Sequence, residues 1–265
     1  MSRTCASRPD RSPSTVRVGY WSAARRPLQI LAFLLPLIIA YELCLALLLP
    51  TEDRQHVNTV EAHRRLLDFF AHLGVARTGG LYLGGLVLIA VLLIWHLLLR
   101  DRWRIDPLVA ALMAVESLLL TGPLLVLSQV ISSNHLAASL AGQTTFADLD
   151  LFSQMAISVG AGLYEELVFR MVLIAVLHTL LVDVGKASHA VGAMIAISVS
   201  AVAFTFYHDL GQAAGGLSGR RVLFYLLAGL YFGAVYVLRG FGVVVGVHAL
   251  YDIITVLLPA ADGTD

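Results

Sequence analysis

The chain has 265 residues, of which 58% are hydrophobic and only 14% are charged, and its mean hydropathy is +0.81. This composition excludes an ordinary water-soluble domain and predicts an integral membrane protein with membrane lipid around it. The formal net charge of zero provides no basic field for nucleic acid, so we expect no nucleic acid partner. The only two cysteines, Cys5 and Cys44, indicate neither a disulfide framework nor a cysteine metal site.

Residues 1–26 are rich in arginine, serine and proline and contain almost no aliphatic side chains, which predicts a disordered, basic N-terminal tail. Residues 27–148 are predicted to form the N-terminal transmembrane helices. Between the first two apolar stretches, segment 51–79 carries apolar side chains at helical spacing among charged ones, which indicates an interfacial amphipathic helix.

The apolar stretches are near the length of about 20 residues that a helix needs to cross a bilayer. They predict an all-α fold, a polytopic transmembrane helix bundle of about seven spans. The stretches are residues 27–50, 80–99, 107–131, 150–182, 190–213, 222–238 and 241–258.

An N-terminus in the cytoplasm places the larger share of the arginines and lysines on the cytoplasmic side, as the positive-inside rule requires. With about seven spans the C-terminus then lies on the opposite side. Compactness and arginine-rich composition favour the inner membrane of a bacterial cell.

Ionisable residues inside transmembrane segments are costly, at least about 2.5 to 3.5 kcal/mol at the bilayer centre, and therefore indicate function. In this chain they are concentrated in the last four spans. They occur in three groups, which read Glu165-Glu166-Leu-Val-Phe-Arg170, Phe204-Thr-Phe-Tyr-His208 and His248-Ala-Leu-Tyr-Asp252.

Helical spacing relates these side chains to one another. Glu166 and Arg170 are four residues apart and are predicted to form an ion pair on one face of the fourth span. Glu165 lies about 100° around the same helix, where it is free to act as a general base. His248 and Asp252 are also four residues apart, so both point into one cavity. We also expect the long fourth span to bend at its glycines.

The three groups, in this order and on separate helices, resemble the EExxxR, FxxxH and HxxxN/D motifs of the CPBP family. That family contains type II CAAX prenyl endopeptidases and bacteriocin-processing or self-immunity proteins. The resemblance covers about residues 150–258 and implies that residues 149–258 form a CPBP-like catalytic transmembrane domain. It implies an intramembrane endopeptidase that cleaves a membrane-anchored, lipidated or precursor peptide.

The resemblance also implies roles for the individual residues. Glu165 and His208 would activate the water that attacks the peptide carbonyl. Glu166 and Arg170 would orient this pair. His248 and Asp252 occupy the positions of the family's oxyanion-stabilising pair, and the aromatic ring preceding His208 by four residues would pack beside it.

Asp252 departs from the asparagine that is best known at this position in the prenyl endopeptidases of the family. Either it is protonated and donates to the oxyanion, or it accepts a hydrogen bond and orients His248, and we favour the second. Zinc bound by His208, His248, Glu165 and Asp252 is a further alternative. The resemblance implies a glutamate-type mechanism without a metal or another cofactor.

Two other functions stay open at this stage. A non-catalytic membrane immunity or scaffold protein would keep the fold and sequester a peptide or partner. A proton-coupled transporter would use buried glutamate and histidine residues as a relay. Glu42 and Glu116 also lie within apolar spans, and we interpret both as structural.

Overall fold

The computed structural model describes residues 19–47, 83–131, 150–211 and 216–258. The predicted amphipathic segment 51–79 and the first 18 residues of the predicted tail lie outside these ranges. The described residues form eight helices and no strand. The helices are α1 Tyr20–Ala23, α2 Pro27–Leu47, α3 Leu83–Leu99, α4 Pro107–Ile131, α5 Leu151–Val184, α6 His189–Tyr207, α7 Gly219–Arg239 and α8 Phe241–Leu257.

Helices α2, α4, α5, α6 and α7 are long and apolar enough to cross a membrane, and α3 and α8 are shorter apolar helices. The predicted all-α membrane bundle is therefore confirmed. Large aliphatic side chains cover its outside, and Leu98, Leu119 and Val130 are each more than 70% exposed. Such a surface is costly in water and suits contact with lipid chains.

The beginning of the chain differs from the predicted tail. Residues 20–23 form a helical turn, and Ala24 is buried. The Arg25 guanidinium donates to the Val237 carbonyl at 2.9 Å, and Arg26 pairs with Asp101 at 3.2 Å. Residues 19–26 are thus fastened to the helices, because the carbonyls and carboxylates at this end of the bundle match their guanidinium groups.

The fourth predicted span is a single helix of 34 residues that changes its winding. It is α-helical over Leu151–Glu166, π-helical over Leu167–Ile174 and again π-helical over Thr179–Val184. The wider turns begin beyond Gly160 and Gly162, where we expected a bend. Those glycines instead allow close packing, since a Cβ at Gly160 would lie 2.3 Å from the Tyr41 ring.

Helix α8 is the centre of the bundle, and residues 241–249 are all buried. Gly240, with a φ of 93°, ends α7 and begins α8, a conformation that favours glycine. A Cβ at Gly246 would lie 2.4 Å from Ser117 Oγ, so α4 and α8 are in close contact there. The Ser117 and Thr121 hydroxyls of α4 both donate to α8 carbonyls. A helix enclosed in this way holds its side chains in fixed positions.

Candidate active site

The first motif lies where α5 changes from α-helical to π-helical winding. Glu165 and Glu166 end the α-helical part, and Arg170 lies in the π-helical turns that follow. Single π-helical turns occur often at functional sites. The Ser200 hydroxyl of α6 donates to the Phe169 carbonyl at 2.8 Å, which provides a partner for the widened backbone.

Close packing of α5 on α8 brings the first and third motifs together. A Cβ at Gly162 would lie 2.9 Å from the backbone nitrogen of Ala249 and 3.0 Å from the Val245 carbonyl oxygen. One turn beyond this contact, His248 Nδ1 lies 2.6 Å from Glu166 Oε1. The hydrogen bond between His248 and Glu166 therefore depends on Gly162, because a residue without a side chain lets α5 and α8 approach this closely.

Glu166 Oε1 is shared between this imidazole and a guanidinium. Arg170 NH1 lies 3.1 Å from it, and neither side chain is exposed. Arg170 NH2 also donates to the Gly229 carbonyl at 3.4 Å, and its guanidinium lies 4.2 Å from the centre of the Phe204 ring. The predicted ion pair is present. Its further partner is His248, whereas the resemblance implied that Glu166 and Arg170 orient Glu165 and His208.

His208 lies at the C-terminal cap of α6, where the backbone leaves the helix with φ −85° and ψ 159°. Its Nδ1 lies 2.8 Å from the Phe204 carbonyl oxygen, which accepts only, so Nδ1 carries a proton. Its Nε2 faces Glu165 Oε2 at 3.6 Å. Burial lowers the pKa of His208 to about 4, so the imidazole is neutral at pH 7 and Nε2 holds a lone pair.

Asp252 lies on the other side of His248. Its Oδ2 is 3.5 Å from His248 Nε2, so both nitrogens of this imidazole face a carboxylate. A separation of 3.5 Å is longer than a formed N–H···O bond, and the Nε2 side remains open to another acceptor.

The residues of this cluster differ in exposure. The side chains of His208 and Asp252 are 19% and 17% exposed and that of Glu165 is 7% exposed, whereas Glu166 and Arg170 are fully enclosed. The cluster is therefore accessible at the pair of Glu165 and His208 and also at Asp252.

Helix α7 contributes two rings that the motifs do not contain. Tyr225 stacks on His208 with 4.0 Å between ring centres, and Phe232 stacks on His248 at 4.6 Å. Phe204 lies between the two imidazoles, 4.5 Å from one and 6.0 Å from the other. The sequence contained one signal for this arrangement. Tyr225 and Phe232 are seven residues, or two helical turns, apart and therefore lie on the same face of α7.

The other intramembrane carboxylates lie apart from these contacts. Glu42 Oε1 accepts from the Gly85 backbone at 3.0 Å and from the Tyr164 hydroxyl at 3.1 Å. Glu116 pairs with Arg239. Both join neighbouring helices, which is the structural role that we expected.

The zinc alternative needs side chains that converge on one point. Among the described residues, no group of three or more histidine, cysteine, aspartate or glutamate side chains is placed to hold a metal ion. His248 Nδ1 and His208 Nδ1 both bond to protein oxygens. Metal independence nevertheless stays a prediction.

The comparisons with known proteins agree with the motifs. Residues 147–254 match a family described as type II CAAX prenyl endopeptidase, Rce1-like. The matched segment contains all six predicted site residues. Searches among curated proteins and among solved structures found no match.

Proposed function

We propose, on the match of residues 147–254 to the Rce1-like family of type II CAAX prenyl endopeptidases, that the protein is a glutamate-type intramembrane endopeptidase. The observation that supports this mechanism best is the approach of Glu165 Oε2 to His208 Nε2 at 3.6 Å, where the cluster is partly exposed. The two atoms are a carboxylate oxygen and an imidazole nitrogen with a lone pair. Both can accept a hydrogen bond from water.

In the proposed reaction one water molecule donates hydrogen bonds to Glu165 and His208. Its oxygen attacks the scissile peptide carbonyl while its proton passes to Glu165. The tetrahedral intermediate then breaks its C–N bond, and the same proton moves from Glu165 to the leaving amine. Glu165 ends as a carboxylate, so the site is ready for another water molecule.

His208 orients this water. Its Nδ1–H is held by the Phe204 carbonyl, which leaves Nε2 as an acceptor for the second water proton. In such histidines a hydrogen bond at one ring nitrogen fixes the tautomer, and the other nitrogen takes part in the reaction.

His248 stabilises the oxyanion. Glu166 accepts from its Nδ1, and with a proton on Nε2 as well it presents an N–H on the side of Asp252. Asp252 favours that protonated form of the imidazole and orients it. Glu166 and Arg170 position His248 through a pair that is itself buried.

The substrate of the proposed reaction is a membrane-anchored or lipidated peptide, for which a prenylated CAAX tail and a bacteriocin-like precursor are the two classes to test. The protein lies in the inner membrane of a bacterial cell with its N-terminus in the cytoplasm. The arginines of the chain support this orientation.

The test is cleavage of prenylated, unprenylated and transmembrane-anchored peptides by the purified protein in lipid nanodiscs. We expect Glu165→Gln and His208→Ala each to lower kcat by about 10² to 10⁴, the usual contribution of general acid–base catalysis. Glu42→Gln is the matched control, because it removes an intramembrane carboxylate that makes its contacts outside the cluster. It should keep wild-type activity.

Each result has a distinct meaning. Full activity of Glu165→Gln would disprove the proposed base. Loss of wild-type activity with a chelator, restored by zinc, would instead establish a metalloenzyme. If no peptide is cleaved, and proton-driven solute flux appears in proteoliposomes, the chain is a transporter rather than a protease.

A further inference from the structure

The ring of Tyr225 covers one face of the His208 imidazole. The ring centres are 4.0 Å apart and the planes differ by 22°, so the two rings are stacked. Tyr225 belongs to α7, which contributes no residue to the three motifs. The contact therefore joins a residue outside the motifs to one of the two groups proposed to bind water.

The packing of α6 on α7 places Tyr225 there. Tyr225, Gly229 and Gly233 follow one another at intervals of four residues and lie on one face of α7. A Cβ at Gly229 would lie 2.9 Å from the Ala201 Cα, and one at Gly233 would lie 2.8 Å from the Ile197 side chain. The two glycines let the backbones approach closely. The next position along that face, Tyr225, then meets the end of α6.

His208 needs an external contact to fix its ring. Its backbone has already left the helix, so the turns of α6 do not restrict its side chain as they would inside the helix. The hydrogen bond from Nδ1 to the Phe204 carbonyl fixes one atom. The rings of Phe204 and Tyr207 meet the imidazole at 57° and 83°, so neither lies flat on it. A flat ring stacked on the imidazole restricts its rotation and keeps Nε2 directed at Glu165.

We propose that Tyr225 is a positioning residue of the site, which stacks on His208 and holds its Nε2 towards Glu165. This inference rests on the proposed function, because it assigns Tyr225 to the orientation of the water-binding pair. We assign this positioning to the stacked aromatic ring. Phenylalanine at this position should therefore replace tyrosine, whereas an aliphatic side chain of similar bulk should not.

The ring also shields the imidazole from water. Burial is what lowers the pKa of His208, so removal of the ring admits water and raises that pKa towards its ordinary value. Glu165, His248 and Arg170 also face this imidazole. The titration of the His208 ring protons, followed by NMR, should move to higher pH when the Tyr225 ring is lost.

The experiment compares Tyr225→Leu and Tyr225→Phe with the wild type in nanodiscs. We expect Tyr225→Leu to lower kcat about tenfold, equivalent to about 1.4 kcal/mol, with KM changed by less than about twofold. The NMR titration of His208 in this variant should move to higher pH. Tyr225→Phe should stay within about twofold of the wild type. Tyr231→Leu removes a tyrosine from the same helix, where its hydroxyl contacts the Leu120 carbonyl, and should leave the titration of His208 in place.

A second measurement does not depend on activity. In the wild type and in Tyr225→Phe, the ring protons of His208 should show upfield NMR shifts from the stacked ring, and Tyr225→Leu should lose them. Wild-type kcat and an unmoved titration of His208 in Tyr225→Leu would overturn the inference while the proposed function stands. A wild type without cleavage would overturn the proposed function, and with it the catalytic role of Tyr225, even if the upfield shifts are observed.

Discussion

Two pairs of a glutamate and an arginine lie in this bundle, one fully buried and one partly buried, and their surroundings differ. Glu116 of α4 is paired with Arg239 of α7, which donates from both Nε and NH2, and the Tyr20 hydroxyl donates to the same carboxylate. The guanidinium lies 3.7 Å from the centre of the Trp21 ring. In this cluster the donors and the acceptors satisfy one another, and their hydrogen bonds hold the helices together.

The pair of Glu166 and Arg170 is not closed in the same way. Its contacts continue to His248 and on to Asp252. Within the described part of the chain, buried polar atoms of Glu165, Glu166 and Arg170 lack a hydrogen-bond partner. Buried groups of this kind are rare, and a catalytic role is one of the explanations for them. The two pairs have the same composition, and they differ in whether buried polar atoms lack a hydrogen-bond partner.

The largest expected effect comes from breaking each pair and then replacing it with methionines. Glu166→Met leaves Arg170 as an uncompensated buried charge and should lower the free energy of unfolding by about 3 to 5 kcal/mol. The double variant Glu166→Met/Arg170→Met removes both charges and should recover most of that stability, because a buried pair is often no better than apolar packing. Thermal unfolding in nanodiscs measures both.

Cleavage activity then separates the two clusters. Glu116→Met/Arg239→Met should recover stability and keep cleavage, whereas Glu166→Met/Arg170→Met should recover stability without cleavage. If the two double variants behave alike in the cleavage assay, the distinction between a structural pair and a functional pair is wrong.

A smaller effect concerns pH, because of the two clusters only the one with Glu166 and Arg170 contains histidine. Burial lowers the pKa of His208 to about 4, whereas the unfolded side chain titrates near 6.5. Between these values the unfolded chain binds a proton that the folded chain excludes, so stability should fall as the pH drops from about 6.5 to about 4. The loss is at most about 3 kcal/mol, and less because 19% of the side chain is exposed.

The measurement is thermal unfolding between pH 4 and pH 8 of the wild type and of His208→Asn, whose carboxamide still donates but does not titrate in this range. The wild type should lose more stability than the variant in the acid window, and the two curves should run parallel above about pH 7. Parallel curves throughout would show that His208 is not held neutral by the fold.

The spacing of residues predicted contacts within one helix, and the resemblance implied the pairing of Glu165 with His208 across two helices. Two other contacts that depend on how helices cross were missed. The ion pair of Glu166 with Arg170 follows from a spacing of four residues. The bond from His248 to Glu166 requires the approach of α8 to α5 at a glycine, and no local pattern specifies which helices cross there. The stack of Tyr225 on His208 was missed for the same reason.

The residues ahead of the first span show a second limit. Arginine, serine and proline dominate the first 26 residues, and the composition of the whole segment predicted disorder. Its last residues nevertheless carry Tyr20 and Trp21, which bind the pair of Glu116 and Arg239. A composition averaged over a segment does not reveal the few residues that meet a specific partner.

The smallest expected effect tests whether that N-terminal contact is only structural. Trp21→Leu removes the ring over Arg239 and should cost about 0.5 to 1 kcal/mol of stability, the usual size of an exposed cation–π contact. In the background Glu116→Met/Arg239→Met the same substitution should cost measurably less, because no cation remains under the ring. Cleavage should be unchanged in both backgrounds. Reduced cleavage by folded Trp21→Leu would mean that the contact of Trp21 with Arg239 also controls how α7 places Tyr225 and Phe232 against the histidines.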